Sequence, residues 1–396
     1  MCFWHARCLV ISAFECCPVV GDPAVLFCVK LLVYRIGQLG DTLMSLPALW
    51  ALRKQFAGAS FSLLCDQHPG MGYVSAAEVL QPMGIFDRIE SYPAGSSRAG
   101  RWLRPISMLR LLARLRRQRY DLLAYLVPSR RTPAQVQRDR RFFRMAGIRG
   151  FLGMGFPPAA PAKVPGKPLA YLASEADLLL ARLSADGIPV PAPGEGCLDL
   201  CLGAAEEEDV NSWVGMQVTD GGLPWVGVGP GSKMPAKRWP WERYAEVIEQ
   251  LIRHFNIWPV VFGDAGDRPL GEELRRRWGR GYNAAGALGV RAAAAALKRC
   301  SLLVSNDTGT MHLAAAAGTA CVAIFSSRDW PGKWYPYGRG HQVMRAQIEC
   351  EGCGLVECVE RNNECLRRIT VPEVVAACER LLSERITHAS AEALKC

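Results

Sequence analysis

The sequence lacks any segment that resembles a membrane span or a secretion signal. No run of about 18 consecutive apolar residues occurs in the 396-residue chain. The first 28 residues have no basic segment followed by an unbroken apolar core, because Glu15, Pro18 and Asp22 interrupt it. We therefore expect a soluble cytoplasmic protein or one that lies peripherally on the inner face of the cytoplasmic membrane.

A disulfide framework is also missing, although the chain contains 16 cysteines. Five of them fall in residues 1–28 and four cluster within residues 350–365, so their spacing is irregular. Thiols scattered in this way through a large chain are typical of reduced, intracellular cysteines.

Lysine and acidic residues are almost absent from residues 98–149. This segment has 15 Arg, no Lys, and only Asp121 and Asp139 as acids, which gives 15 − 2 = +13. The whole chain carries +10, so the remainder is slightly acidic. Clustered guanidinium groups favour partners that carry phosphate or carboxylate, while a solvated helix face is the alternative explanation.

Strand-like and helical runs alternate from Val29 onward, as in a parallel sheet covered by helices on both sides. The predicted fold is α/β, with two doubly wound Rossmann-like domains that face a central cleft. We predict a first domain at residues 29–195, a linker at 196–223, a second domain at 224–370, and a closing helix and tail at 371–396. Residues 1–28 are predicted to be a non-structural extension.

Two glycine-bearing turns follow strand-like runs in the second half of the chain, within residues 226–240 and 304–318. Free N–H groups at a helix start, approached by small residues, form an anion site that suits phosphate. Two such sites on neighbouring strands predict a ligand such as a nucleotide diphosphate. The candidate contacts are Gly231, Ser232, Lys237, Asp307, Thr308, Gly309 and Thr310. An exposed basic loop is the alternative for the first turn. In the second turn, Asp307 and Thr308 are expected to cap the helix while the N–H groups of Thr308, Gly309 and Thr310 face a phosphate.

Two aspartates follow other predicted strands. Asp41, in the segment YRIGQLGDTLMSLP, stands at a helix start facing the predicted cleft, where it is suited to act as a general base. Because Asp also favours the N-cap position, a purely structural role stays open. Asp267 ends the run FGDAGD and is a candidate for binding ribose hydroxyls, or an ordinary loop acid.

The cysteines at 350, 353, 358 and 365 have some of the character of a metal site. Four thiolates can form a tetrahedral Zn or Fe centre, and the first pair has suitable spacing. Cys350, Cys353, Cys358 and Cys365 are therefore candidate ligands of a structural metal, with reduced cysteines or occasional disulfides as the alternatives.

Taken together, five motifs resemble glycosyltransferase family 9, the ADP-heptose:lipopolysaccharide heptosyltransferases. The motifs are GDTLMSLPALWALR from Gly40, RYDLLAYL from Arg119, PGSKMPAKRWPWERYAEVI from Pro230, SNDTGTMHLAAAAGT from Ser305, and the cysteine cluster. The resemblance implies a GT-B fold and inverting transfer of a sugar from a nucleotide diphosphate. It also implies that Asp41 is the catalytic base, that the two glycine turns bind the donor diphosphate, and that Asp267 contacts the ribose.

The resulting hypothesis is transfer of a sugar, heptose from ADP-heptose, to an anionic lipopolysaccharide-core-like glycan or glycolipid. Gly40, Arg130 and Arg131 are assigned to the acceptor side. Fixed cations replace a divalent metal, so we expect no obligatory Mg²⁺ or other cofactor. The predicted partners are the nucleotide-sugar donor, the acceptor and an anionic membrane surface, but not nucleic acid.

Two other functions stay open at this point. One is a nucleotide-sugar epimerase of the same fold. The other is a non-catalytic nucleic-acid-binding protein that uses the arginine-rich segment, although that segment lacks interleaved aromatic residues. An NAD-dependent enzyme is not favoured, because no acidic strand end follows the GVGPGS run at the expected distance.

Overall fold

A computed structural model describes residues 29–68, 72–94, 98–156, 160–164 and 166–393 of the chain. The extension predicted at residues 1–28 lies outside the described residues. Within the described part, no helix combines the length and the apolar character that a membrane span requires.

The first half of the described chain forms a five-stranded parallel sheet covered by helices. Its elements are β1 (Lys30–Arg35), α1 (Leu39–Leu43), α2 (Leu46–Gln55), β2 (Ser60–Gln67), α3 (Ala76–Leu80), β3 (Arg88–Pro93), α4 (Arg98–Gln118), β4 (Leu122–Tyr125), α5 (Pro133–Met145), β5 (Gly150–Leu152) and α6 (Glu175–Ala185). The strand order is β3-β2-β1-β4-β5. The central strand β1 is buried from Leu31 to Arg35, as expected for a parallel strand covered on both faces.

The second half forms a six-stranded parallel sheet of the same kind. Its elements are α7 (Ala204–Gly215), β6 (Trp225–Gly229), α8 (Trp241–Phe255), β7 (Trp258–Val261), α9 (Arg268–Trp278), β8 (Tyr282–Asn283), α10 (Val290–Lys298), β9 (Cys300–Asn306), α11 (Gly309–Ala316), β10 (Cys321–Phe325), β11 (Gln342–Arg345), α12 (Glu364–Arg367) and α13 (Val371–Ala393). The order is β11-β10-β9-β6-β7-β8. Helix α8 buries Tyr244, Val247, Ile248 and Leu251 at helical spacing, which explains its place against this sheet.

Two boundaries differ from the sequence-based expectation. The sequence predicts one helix at Thr42–Phe56 with a kink near Pro47, but the structure has two helices, because α2 restarts at Leu46 and Pro47 occupies its second position. Proline is tolerated there, since its missing N–H has no partner in the first turn.

The predicted linker at residues 196–223 contains helix α7, which packs against α10 as part of the second domain. Val210 is buried and the Trp213 ring meets the Tyr282 ring edge to face at 5.6 Å. Arg291 of α10 binds Glu206 of α7 at 2.5 Å. The proline and glycine residues on both sides of this helix made the segment resemble a linker in the sequence.

The two domains meet where α1 and α11 approach each other, at the carboxyl ends of β1 and β9. Gly309 of α11 lies against Leu39, and a Cβ at Gly309 would be 3.0 Å from a Leu39 methyl carbon. A second link joins Leu172 N–H to the Pro331 carbonyl at 2.8 Å. Carboxyl strand ends are the usual ligand-binding edge of such sheets, so both sheets place their binding edges at this contact.

Candidate active site

Asp41 is buried in the first turn of α1 and is held in one orientation. Its Oδ2 accepts a hydrogen bond from the Gln38 N–H at 2.8 Å. Gly37 has φ +118°, and a Cβ there would lie 2.7 Å from the same oxygen. Only glycine fits this turn, because it adopts the left-handed conformation without strain. The carboxylate thus supports the helix start, and in the described part of the chain no donor binds its other oxygen, Oδ1.

Arg35 lies beneath this turn and was missed by the sequence reasoning. It is 1% exposed, and among the described residues only its Nη1 finds a hydrogen-bond partner, donating to the Leu126 carbonyl at 3.0 Å. Burial lowers the pKa of Arg35, and the carboxylate of Asp41, followed by that of Glu175, opposes this shift. The buried cation and Asp41 therefore attract each other. The available signal was an arginine at the end of the apolar run KLLVYR.

The two arginines predicted on the acceptor side occupy different places. Arg130 is exposed, and its Nη2 lies 3.8 Å from Asp41 Oδ2. Arg131 lines a cavity of about 300 Å³ beside it. The other lining residues are Tyr34, Leu64, Tyr92, Pro93, Ala94, Ser107, Met108, Leu111, Arg138, Asp139, Phe142 and Phe143.

This cavity has aromatic walls and one uncompensated positive charge. Asp139 is paired with Arg138 at 2.9 Å and accepts a hydrogen bond from the Tyr125 hydroxyl at 2.8 Å. The Tyr34 and Tyr92 hydroxyls are 2.8 Å apart. Among the described residues, no carboxylate pairs with Arg131, so the cavity favours a polar ligand with a negative charge.

Gly40 lies at the contact between the domains, against His312 of α11. A Cβ at Gly40 would be 2.8 Å from His312 Cδ2. Burial lowers the pKa of His312 to about 4, and Asp307, Lys237 and Asp41 also act on it electrostatically. His312 is thus neutral near pH 7. The His312 ring is packed between its neighbours, but its Nδ1 has no hydrogen-bond partner within the described residues.

The electrostatic surroundings of His312 join the two halves of the site. Asp41 belongs to the first domain, whereas Lys237 and Asp307 belong to the second, and all three influence the same buried imidazole. The carboxylate and the Lys237–Asp307 pair therefore both lie near His312 at the α1–α11 contact.

The two glycine-bearing turns lie side by side at the ends of β6 and β9, where Gly229 pairs with Ser305. Asn306 connects them: its Nδ2 donates to the Pro230 carbonyl at 2.7 Å, and its Oδ1 accepts from Trp239 N–H at 3.0 Å. The sequence reasoning did not single out Asn306. Its signal was an amide at the end of an apolar strand.

The first turn does not lead directly into an α-helix. A short 3₁₀ helix, Pro235–Lys237, follows it, and α8 begins only at Trp241. Ser232 accepts a hydrogen bond from the Met234 N–H at 3.2 Å, which closes the turn. Lys237 reaches from the 3₁₀ helix to Asp307 Oδ2 at 2.5 Å and lies 3.7 Å from Asp329 Oδ2.

Helix α11 provides the second turn with unused backbone donors. Thr308 is its N-cap residue, yet neither its side chain nor that of Asp307 caps the helix, because Asp307 is paired with Lys237. The predicted capping role is therefore wrong for both. The first N–H groups, at Gly309 and Thr310, have no partner within the helix and remain suited to an anion.

Asp267 lies beside the first turn. A Cβ at Gly231 would overlap its carboxylate, so any other residue there would force the Asp267 side chain to move. Its Oδ2 accepts a hydrogen bond from the Asp264 N–H at 3.1 Å, and burial raises its pKa. The structure thus places Asp267 directly against the first glycine-bearing turn. Its contact with ribose stays a prediction.

The four clustered cysteines do not form the metal centre considered above. They line one small cavity of about 10 Å³, but Cys353 is exposed and burial raises the pKa of Cys365. Among the described residues, no group of three or more His, Cys, Asp or Glu side chains is arranged to hold a metal ion.

Residues 350–365, the cysteine loop, instead form hydrogen bonds that support the first glycine-bearing turn and the 3₁₀ helix after it. The Val356 carbonyl accepts from the Ala236 N–H at 3.0 Å. Arg328 donates to the Gly354 carbonyl at 2.7 Å and binds Asp329 at 2.5 Å. Arg328 is a further site residue that sequence reasoning did not assign.

In comparisons with known proteins, residues 193–363 match the family model for glycosyltransferase family 9 (heptosyltransferase). Lipopolysaccharide heptosyltransferase 2 of Escherichia coli is 38% identical over 117 residues, 27% of this chain and 33% of that protein. Its counterpart from Salmonella typhimurium is 31% identical over 169 residues, 41% of this chain and 47% of that protein. The chain thus spans less than half the length of these two relatives, and the predicted resemblance to the family is confirmed.

Solved structures match over nearly the whole chain. The glycosyltransferase family 9 protein of Veillonella parvula has a TM-score of 0.65 and 20% identity, covering 90% of this chain and 97% of that one. Escherichia coli ADP-heptose lipopolysaccharide heptosyltransferase II has a TM-score of 0.63 and 21% identity, covering 90% and 99%. At this identity the likeness establishes the fold, and the predicted two-domain GT-B architecture is confirmed.

Proposed function

We propose that this chain, which resembles glycosyltransferase family 9, is an inverting glycosyltransferase that transfers heptose from ADP-heptose to an anionic glycan of the lipopolysaccharide-core type. The observation that carries the proposal is that Asp41 of one domain and the Lys237–Asp307 pair of the other both act electrostatically on His312, whose ring packs against Gly40, the neighbour of Asp41. A proton acceptor on one domain and an anion site on the other are the two parts that such a transfer needs.

The donor binds the second domain in this proposal. Its diphosphate lies against the Gly231–Ser232 turn and the α11 N–H groups of Thr308, Gly309 and Thr310, while Lys237 contacts a phosphate oxygen. Lysine has three donors, so its bond to Asp307 leaves capacity for the ligand. Asp267 contacts the nucleoside, and Asp307 contacts the sugar.

The acceptor binds the first domain. Its negative charge is met by Arg131 in the 300 Å³ cavity, a volume at the lower end of those typical of small-molecule sites. Arg130, next to Arg131 in the chain, lies 3.8 Å from Asp41 Oδ2, beside the hydroxyl that reacts. Gly40 keeps the helix backbone close to the other domain.

Asp41 takes the proton from the acceptor hydroxyl. The hydroxyl oxygen bonds to the anomeric carbon while the bond from that carbon to the diphosphate oxygen breaks, and ADP leaves with the electron pair. Attack comes from the face opposite the leaving group, so the configuration inverts. Lys237 and the α11 N–H groups stabilise the charge on the leaving diphosphate and take the place of a divalent metal. The proposed location is the cytoplasm, at the inner face of the membrane.

A panel of nucleotide sugars tests the donor assignment. ADP-heptose at about 100 times its Kd is expected to stabilise the fold by ~2.7 kcal/mol and raise Tm by about 5–10 °C, measured by thermal shift. GDP- and UDP-sugars at the same concentration are expected to shift it by much less. A larger shift with GDP- or UDP-sugars contradicts the donor class, and a new sugar formed without acceptor indicates an epimerase.

Arg131→Gln tests the acceptor side. Loss of a charge-assisted hydrogen bond of ~1.5–3 kcal/mol is expected to raise the KM for a core oligosaccharide about 10- to 100-fold, with ADP-heptose affinity unchanged. Initial rates at varied acceptor concentration measure this effect. Arg149→Gln, an exposed arginine at the end of the same segment, serves as the matched control. Equal KM values in both variants would remove Arg131 from the acceptor site.

A further inference from the structure

Helix α4 has one face that no described part of the chain covers. Leu111 and Leu115 are buried against the sheet, whereas Ile106 is 49% exposed and Leu109 is 64% exposed. Arg110 and Arg117 are exposed at positions that continue the same face at helical spacing. The face therefore combines apolar and cationic side chains.

The carboxyl-terminal end of α5 extends this surface. The Arg116 guanidinium donates to the Met145 carbonyl at 3.5 Å, and the Met145 side chain is 56% exposed. We call Ile106, Leu109, Arg110, Arg116, Arg117 and Met145 the α4 face.

The positive charge of the α4 face is not balanced by neighbouring carboxylates among the described residues. The α4 sequence contains no acidic residue. Within the described residues, Arg110 and Arg117 form no ion pair, and the single carboxylate of α5, Asp139, is buried and bound by Arg138. The α4 face thus presents a net positive surface to solvent.

Helix α9 shows what an arginine-rich helix looks like when it is only a solvated surface. Its Arg275, Arg276 and Arg277 pair with Glu272, Glu273 and Glu249 respectively. Charge balance of this kind is missing on α4, so an arginine-preferring composition does not explain the α4 face.

We propose that the α4 face docks on a bilayer of anionic phospholipid. Interfacial helices combine basic residues with apolar side chains that enter the boundary between headgroups and acyl chains, as Ile106, Leu109 and Met145 would. A nucleic acid needs the cations but gains nothing from exposed aliphatic groups, and the α4 face has no aromatic side chain for base stacking.

The inner side of the same helix lines the cavity that contains Arg131, through Met108 and Leu111. A protein docked through α4 therefore holds this cavity next to the membrane surface. A lipid-linked acceptor, as in the proposed function, is anchored at that surface. The docking itself does not depend on the transfer reaction.

Vesicle co-sedimentation of the full chain tests the proposal. Vesicles of phosphatidylcholine with about a third phosphatidylglycerol are expected to bind the protein, and pure phosphatidylcholine to bind it weakly. Each arginine near such a surface contributes about a fivefold factor in affinity, so Arg110→Gln/Arg117→Gln is expected to weaken binding about 30-fold. Leu109→Ser is expected to weaken it about tenfold, and added salt to weaken the wild-type protein.

The control is Arg275→Gln/Arg276→Gln, which removes two arginines from α9 and is expected to leave vesicle binding unchanged. Equal losses in both double variants, unaltered binding in the α4 variants, or a preference for single-stranded oligonucleotide over anionic vesicles would overturn the proposal. Sugar transfer to a water-soluble core oligosaccharide distinguishes the docking proposal from the proposed function. If Arg110→Gln/Arg117→Gln retains this transfer but no longer binds vesicles, both proposals are supported. If the wild-type protein binds vesicles while no variant transfers sugar, only the proposed function fails.

Discussion

Replacing Asp41 with asparagine is expected to lower kcat for sugar transfer about 10²- to 10⁴-fold, the usual contribution of a general base. Asparagine has the same shape and still accepts the hydrogen bond that Gln38 donates at 2.8 Å, so the α1 turn persists. It has no basic carboxylate to take the acceptor proton. Initial rates of ADP release in the presence of core oligosaccharide measure the loss.

Donor affinity separates this chemical effect from misfolding. Asp41 and the anion turns belong to different domains, so the Kd for ADP-heptose of Asp41→Asn is expected to equal that of the wild type in titration calorimetry. Asp87→Asn is a suitable control, because Asp87 caps the opposite end of the sheet through Ser60 and the Phe61 N–H. Turnover within tenfold of the wild type in Asp41→Asn would contradict the assigned role.

Replacing Lys237 with methionine is expected to have the second-largest effect, a loss of about 10²- to 10³-fold in kcat/KM together with weaker binding of ADP-heptose. The substitution removes the cation that meets the diphosphate. It also leaves the buried carboxylate of Asp307 without its partner at 2.5 Å, which costs about 3 kcal/mol of unfolding free energy. Titration calorimetry and urea unfolding measure the two effects.

A double variant distinguishes a binding defect from lost stability. Lys237→Met/Asp307→Asn removes both charges and is expected to recover most of the unfolding free energy but not the donor affinity. Lys298→Met, an exposed lysine at the end of α10, controls for loss of a surface cation. A folded Lys237→Met protein that binds ADP-heptose as tightly as the wild type would show that Lys237 does not contact phosphate.

Much of the fold is predictable from the sequence because its strands are short, apolar and punctuated. The apolar run Cys321–Phe325 predicts a strand, and the structure has a strand with the same bounds, since a continuous buried run is distinctive. Elements whose stability comes from tertiary contacts were not predicted. Helix α7 is one, held by Trp213 and the Arg291–Glu206 pair, and the two-residue strand β8 is another.

The sequence predicted the turns that form the candidate site, but not the interactions that hold these turns in place. Turn motifs reveal Asp41 and Lys237, because glycine spacing and helix starts are local patterns. The long-range partners do not follow from local patterns: Arg35 and Asn306 act on turns that they reach only through the folded sheets. The cysteine spacing indicated a metal, whereas the four cysteines line one small cavity without forming, among the described residues, a group arranged to hold an ion.

Where α1 meets α11, each of the two contacts has a glycine on one side. Gly40 lies against His312, and Gly309 lies against Leu39. A methyl group at either position would act as a wedge between the lobes. In the proposed reaction the reacting groups come from both lobes, so the distance between Asp41 and the anion-binding turns depends on two places where the chain carries no side chain.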